Sequence, residues 1–168
     1  MERFFQLLSS ANPQERQLAV ELCTELVFEP GEEFFSGLAD LLRTVRSEAK
    51  VTILELMEMY EEGQDTACSS VALELIGAQD DAVRYAAFRY IKTTYLRPSV
   101  TTMLETLADP VEEIRQIATE FLQEVVLCDN ASFEVAGHLR HDNPQIRSMA
   151  RELLLSNGQE DLIKKMNE

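Results

Sequence analysis

The chain is 168 residues long and 45% hydrophobic, enough for one compact domain or one short repeat array with a sizeable core. Thirty acidic residues against fifteen basic ones give a formal net charge of -15, which repels phosphate backbones and argues against a nucleic-acid partner. No run approaches the eighteen apolar residues of a membrane span, and MERFFQLLSSANPQE lacks the basic flank and apolar run of a secretory signal, so a cytoplasmic protein is expected.

The first apolar segment holds Phe4, Phe5, Leu7 and Leu8, and leads into Asn12-Pro13 and NPQERQLAVELC. Asparagine there is a helix cap, proline suits the first turn, and Glu15 stands three residues on, where it completes a capping box. Glu29-Pro30-Gly31 then breaks the pattern. A second apolar segment, Phe34, Phe35, Leu38, Leu41 and Leu42, precedes SEAKVTILELM, with Ser47 as its cap. Glu62-Gly63-Gln64-Asp65 separates these from Val71, Ala72, Leu75 and Ile76, followed by the Asp80-Asp81 cap and DDAVRYAAFRYI. After Arg97-Pro98 come Val100, Met103, Leu104 and Leu107, then Asp109-Pro110 as cap, with Glu112 in the capping-box position, and DPVEEIRQIATEFL. Asp129-Asn130 opens the last pair, in which Phe133, Val135, Ala136 and Leu139 precede the Asn143-Pro144 cap and NPQIRSMARELL. Asn157-Gly158 ends this helix, and Leu162 and Ile163 suit a short terminal cap.

Five basic residues set one register. Arg16, Lys50, Arg84, Arg115 and Arg147 are 34, 34, 31 and 32 residues apart. Three positions on stand Ala19, Ile53, Ala87, Ala118 and Ala150; six on, Leu22, Leu56, Tyr90, Phe121 and Leu153; seven on, Cys23, Met57, Ile91, Leu122 and Leu154. These are core positions on one face of a helix. One amphipathic helix has no reason to recur at this period; five copies imply a repeated helix pair. The arginines lie beside the core, where they reach turn carbonyls or caps such as Asp109. No strand-like alternation interrupts the series.

The motifs NPQERQLAVELC, DDAVRYAAFRYI, DPVEEIRQIATEFL and NPQIRSMARELL, with SEAKVTILELM as a degenerate copy, resemble HEAT-like repeats of the armadillo-type superhelix group. Members carry a turn aspartate or proline, then an apolar residue and arginine, as in Val83-Arg84, Ile114-Arg115 and Ile146-Arg147. Glu15-Arg16 and Ala49-Lys50 depart from that pattern. The resemblance implies an all-α fold: a right-handed α-solenoid of about five helical hairpins with a short C-terminal capping helix. The expected layout is a single domain over 1–168, with repeats at 2–29, 30–62, 65–96, 98–128 and 130–157 and a terminal cap at 159–167.

It also implies that the second helices line a concave surface, the location of the candidate partner site. Five residues after the basic marker come Glu21, Glu55, Arg89, Glu120 and Glu152; Glu58 and Lys92 stand eight after it. The expected surface is largely acidic, with Arg89 and Lys92 a basic patch near its middle. Val51, Leu54, Tyr85, Phe88 and Phe28 add apolar residues on this side. Either they form an exposed patch for a partner, or curvature tucks them between neighbouring helices. The expected function is a non-catalytic adaptor for a protein or peptide with a basic or amphipathic surface. The alternative is a bilin lyase-like or chaperone role; DNA-glycosylase relatives of this shape use a basic concavity, opposite to the charge here.

Motifs for other chemistry are sparse. Cys23, Cys68 and Cys128 are odd in number and far apart, and read as reduced thiols rather than a disulfide framework. Glu134 and His138, with His141 or Asp142, share a helical face and are the weak metal candidates, but HExxH is absent and no cysteine is close in sequence. His141 and Asp142 abut the turn before Asn143-Pro144 and have simpler uses there. No GxSxG elbow or phosphate-binding glycine loop occurs, and six glycines leave little material for one. No metal, cofactor or catalytic residue is expected.

Overall fold

A computed structural model describes residues 1–25, 31–60, 66–94, 96–125, 127 and 129–167; of Thr66, Asp129, Asn130 and Asn167 it describes the backbone alone. Every regular element among these residues is helical. The helices follow one another as pairs: α1 (Glu2–Leu8) with α2 (Pro13–Glu25), α3 (Glu32–Thr44) with α4 (Ser47–Glu58), and α5 (Thr66–Leu75) with α6 (Asp81–Thr93). Then come α7 (Val100–Thr106) with α8 (Glu112–Gln123), α9 (Asp129–Gly137) with α10 (Pro144–Ser156), and α11 (Glu160–Asn167). A 3-10 turn, His138–Arg140, joins α9 to the loop before α10.

Two compact units result, Met1–Arg97 and Pro98–Glu168. In the first, the opening helices α1, α3 and α5 pack in order, as do the second helices α2, α4 and α6. Its core combines Leu38, Leu42, Ile53, Leu56, Met57, Val71, Ala87 and Tyr90. At one end Phe34 anchors an aromatic cluster, its ring 5.6 Å from Phe4, 5.5 Å from Phe35 and 6.1 Å from Tyr60. Offset and edge-on rings at such distances add directional attraction to the area they bury. Gly37 makes room for this cluster: a Cβ there would stand 2.4 Å from the Phe5 ring.

The second unit buries Met103, Leu104, Ile114, Ala118, Leu122, Val135, Ile146 and Leu154. α11 packs on α9 and α10 and turns Ile163 inward at 5% exposure, with Leu162 half-buried. The chain reaches α11 through Gly158, whose φ of 70° suits glycine at a helix end.

Caps explain where the helices begin. Asn12 Oδ1 accepts from the Gln14 amide at 3.0 Å, Asp80 Oδ1 from Ala82 and Val83 at 3.0 and 3.1 Å, and Asn143 Oδ1 from Gln145 at 2.9 Å. The capping box expected at Glu15 closes through a relay, because the Ser10 hydroxyl donates to Glu15 and accepts from the Asn12 amide. Two expected caps differ. Ser47 is the first residue of α4, behind an Arg46 whose side chain makes no cap bond. Asp109 bonds the Val111 amide at 2.9 Å in a tight turn, and α8 starts only at Glu112, so Pro110 lies before the helix and Glu112 is its first residue.

The basic register proves to be a latch on the turn. Arg16 Nη1 donates to the Ser10 carbonyl at 2.8 Å, Arg84 to Ala78 at 2.9 Å, Arg115 to Asp109 at 2.7 Å and Arg147 to His141 at 2.7 Å. Each acceptor is six residues back. The last three arginines also reach the carbonyl five back, in Gln79, Pro110 and Asp142. These carbonyls belong to turns between the paired helices, where no ladder partner exists for them.

Two core expectations change. Leu22 is 38% exposed and Phe133 is 66% exposed, although both were placed inward by sequence period. Leu22 lies on an exposed side of α2 with Leu18, and α9 turns Phe133 outward while burying Ser132, Val135 and Ala136. Phe121 is half-buried.

Candidate functional site

The residues proposed to meet a partner separate into a surface group and a core group. In the first unit, Glu21 and Lys92 are exposed, whereas Val51, Glu58, Tyr85 and Arg89 are half-buried and Glu55 is exposed. Leu54 and Phe88 have relative exposures of 0% and 1%. They are core residues and offer no docking surface. Their position, four after the basic marker, lies to the side of the helix, and close packing of neighbouring elements covers it. Of the apolar residues expected to form a patch, Val51 and Tyr85 retain surface; Phe28 lies outside the described residues.

Charge on this side is organised by one cross-helix contact. Arg89 on α6 donates through Nη2 to Glu58 Oε2 on α4 at 2.8 Å, and its Nη1 stands 4.0 Å from Glu55 Oε1. The side chain of Glu58 is 18% exposed and that of Arg89 40%, so solvent screens the pair only in part. The expected central basic patch is therefore largely neutralised at Arg89, which answers the two carboxylates before it, while Lys92 is exposed. Glu21 on α2 takes a local bond from Gln17 at 3.2 Å and, among the described residues, has no comparable cross-helix cation. In the second unit, Glu120 is half-buried and accepts from Gln116 at 3.1 Å, while Glu152 on α10 is exposed.

The weak metal candidates are engaged locally. His138 Nδ1 pairs with the Glu134 backbone carbonyl at 3.0 Å, and His141 Nδ1 accepts from the Asn143 amide at 3.0 Å. The two imidazoles stack with centroids 6.0 Å apart, and Glu134 Oε2 accepts from the Thr101 hydroxyl at 3.2 Å. Among the described residues no group of three or more His, Cys, Asp or Glu is placed to hold a metal ion. The sequence spacing was right for a shared helical face, but the helix ends at Gly137 and the 3-10 turn redirects the imidazoles.

Cys23 and Cys68 are buried and in no disulfide among the described residues, and Cys128 lies outside those residues. Burial raises the pKa of Cys23 above the ordinary thiol value, an effect opposed by its contact with Tyr60. Cys68 Sγ donates to the Phe35 carbonyl at 3.1 Å. Buried thiols of this kind act as small core residues rather than nucleophiles. An open depression of about 620 Å³ lies beside Lys50, lined also by Ser47, Glu74, Ala78, Asp80 and Val83. It marks the one copy whose basic residue is lysine.

No protein-family model and no curated protein matches the chain. Among solved structures it is similar to the crystal structure of an engineered protein, a Northeast Structural Genomics Consortium target. The TM-score is 0.57 at 15% identity, covering 98% of this chain and 87% of that one. That likeness is one of fold alone. It supports an all-α array of helix pairs. Among the described residues, no helix is long and apolar enough to cross a membrane.

Proposed function

We propose that the chain is a non-catalytic protein-interaction module built of HEAT-like repeats. The turn latch supports the repeat assignment, since arginine bonds the carbonyl six residues back in four of five copies. The proposed docking face is the solvent side of α2, α4 and α6 in the first unit. Glu21 and Glu55 supply acid there, Val51 and Tyr85 a small apolar area, and Lys92 a flanking cation. The observation that carries the reading is this juxtaposition of half-buried apolar side chains with carboxylates on adjacent second helices. A basic or amphipathic protein segment is the complementary partner.

Quantitative capture from native lysate tests it, comparing the wild-type chain with Glu55→Lys and Tyr85→Ala. Glu55 is exposed and Tyr85 half-buried, so neither change empties the core. A protein retained by the wild type and released by both variants supports the module. Retention of the same proteins in the same amounts by all three chains overturns this docking face.

A further inference from the structure

The way α6 meets α4 singles out an exposed edge of α2. Arg89, five residues after the marker on α6, reaches Glu55 and Glu58 on α4. That side of α6 also carries Ala86, Tyr90 and Thr93, since positions two, five, six and nine after the marker share one helical face. Ala86 and Tyr90 are buried at 5% and 2% exposure. The sixth position is buried on α4 as Leu56 and on α10 as Leu153. α2 is the first second helix within the 168 residues, and its corresponding face is Leu18, Glu21, Leu22 and Glu25. All four are exposed, the leucines at 46% and 38%.

We infer that this α2 edge docks an amphipathic helix from a protein partner, with lysines or arginines beside its apolar stripe. The charge at the fifth position decides the partner's chemistry. On α6 that position is Arg89, and the helix lying against it supplies Glu55 and Glu58, three residues apart. On α2 the same position is Glu21, with Glu25 one turn beyond, so the complementary helix carries bases at the three-residue spacing. A second copy of this chain fits poorly, because two α2 edges would bring Glu21 and Glu25 against like charges on a molecule already at -15. The inference rests on the interaction-module reading, shares Glu21 with its docking face, and adds the exposed leucines of α2 and a partner chemistry.

The test uses the full chain and two synthetic helical peptides with leucines four residues apart. One carries lysines at three-residue spacing beside them, the other glutamates. Fluorescence anisotropy is expected to show binding of the lysine peptide, weakening with salt, and none of the glutamate peptide. Leu18→Ser/Leu22→Ser is expected to weaken binding about tenfold or more, and Glu21→Lys to weaken it and flatten its salt dependence. Both leucines are exposed, so the thermal midpoint by circular dichroism should stay near wild type. Failure of the lysine peptide to bind, equal binding of both peptides, or unchanged binding by the double variant overturns the edge. So does a wild-type dimer in sedimentation that the double variant abolishes, since a second copy would then be the occupant. Binding that Glu55→Lys and Tyr85→Ala remove, while the leucine variant leaves it intact, overturns this edge but supports the module.

Discussion

The guanidinium of Arg115 donates at 2.7 Å to the carbonyl of Asp109, and the same nitrogen reaches Pro110 at 2.9 Å. One planar cation thereby closes the turn that joins α7 to α8. Arg84 does more, bonding two turn carbonyls and forming a 2.7 Å ion pair with Asp81 while only 9% exposed. Arg16 does less, with one carbonyl bond and a buried Nε that has no partner among the described residues. Alanine substitutions should follow that order in urea-denaturation midpoints. Arg84→Ala is expected to cost about 2–3 kcal/mol and Arg16→Ala about 1 kcal/mol. Arg84→Lys should recover little, because Nη1 holds both carbonyls while Nη2 reaches Asp81, and lysine has no second nitrogen for the carboxylate. Negligible costs for all the arginines would show that the latch is incidental to stability.

Arg89 and Glu58 link two helices that are neighbours in space but thirty-one residues apart in sequence. Glu58→Arg places like charges together beside Arg89 and should lower stability by about 1 kcal/mol. The exchange Glu58→Arg/Arg89→Glu restores opposite charges and should recover most of that loss. A double-mutant cycle in low and high salt measures the coupling. Equal stability of the single and exchanged variants would mean that solvent screens this contact completely.

The latch and the pairing were legible because they follow from local chemistry. A basic residue at fixed distance from a cap, with alanine three positions on, exposes both the helix face and the turn it must reach. Surface assignment was less legible because it depends on neighbours that a single helical wheel does not contain. Leu54 and Phe88 look peripheral on their own helices, yet packed elements cover them. Leu22 looks internal by the same period, yet it lies on an exposed side of α2. The Arg89 patch failed for a related reason: its carboxylate partners lie on α4, in the preceding helix pair. Ser47 and Asp109 misled as caps because either residue type serves equally well one or two positions away from a helix start.

Tyr60 donates its hydroxyl to the Cys23 backbone carbonyl at 3.2 Å, joining the end of α4 to α2. Burial, followed by its interactions with Cys23, pushes the phenol up to about 12 from an ordinary value of 10.0. The folded state therefore holds this proton where the unfolded chain releases it. Its contribution to stability is complete below pH 10.0 and is lost as pH rises toward about 12. Tyr60→Phe should lower stability at neutral pH through the lost hydrogen bond and reduce the alkaline decline. Denaturation midpoints across that window, with tyrosinate absorbance as a second readout, check it. An alkaline decline of the same size in Tyr60→Phe would assign it to other groups.

Asn157 fastens the end of α10 to the segment after α8. Its Oδ1 accepts from the Leu127 amide at 2.8 Å, while Nδ2 donates to the Leu153 carbonyl at 2.9 Å. Asn157→Ala removes both bonds and leaves the two backbone groups without the amide; it should cost about 1–3 kcal/mol. Asn157→Asp keeps the acceptor for Leu127 but turns a carboxylate oxygen toward the Leu153 carbonyl, so near neutral pH it should remain well below wild type. Protonation restores a donor, and the deficit of Asn157→Asp relative to wild type should shrink as pH falls through the carboxylate range. Amide exchange at Leu127 supplies the local readout: faster in Asn157→Ala, slower in Asn157→Asp than in the alanine variant. If Leu127 exchanges at the wild-type rate in both variants, the clamp makes no contribution to holding that segment.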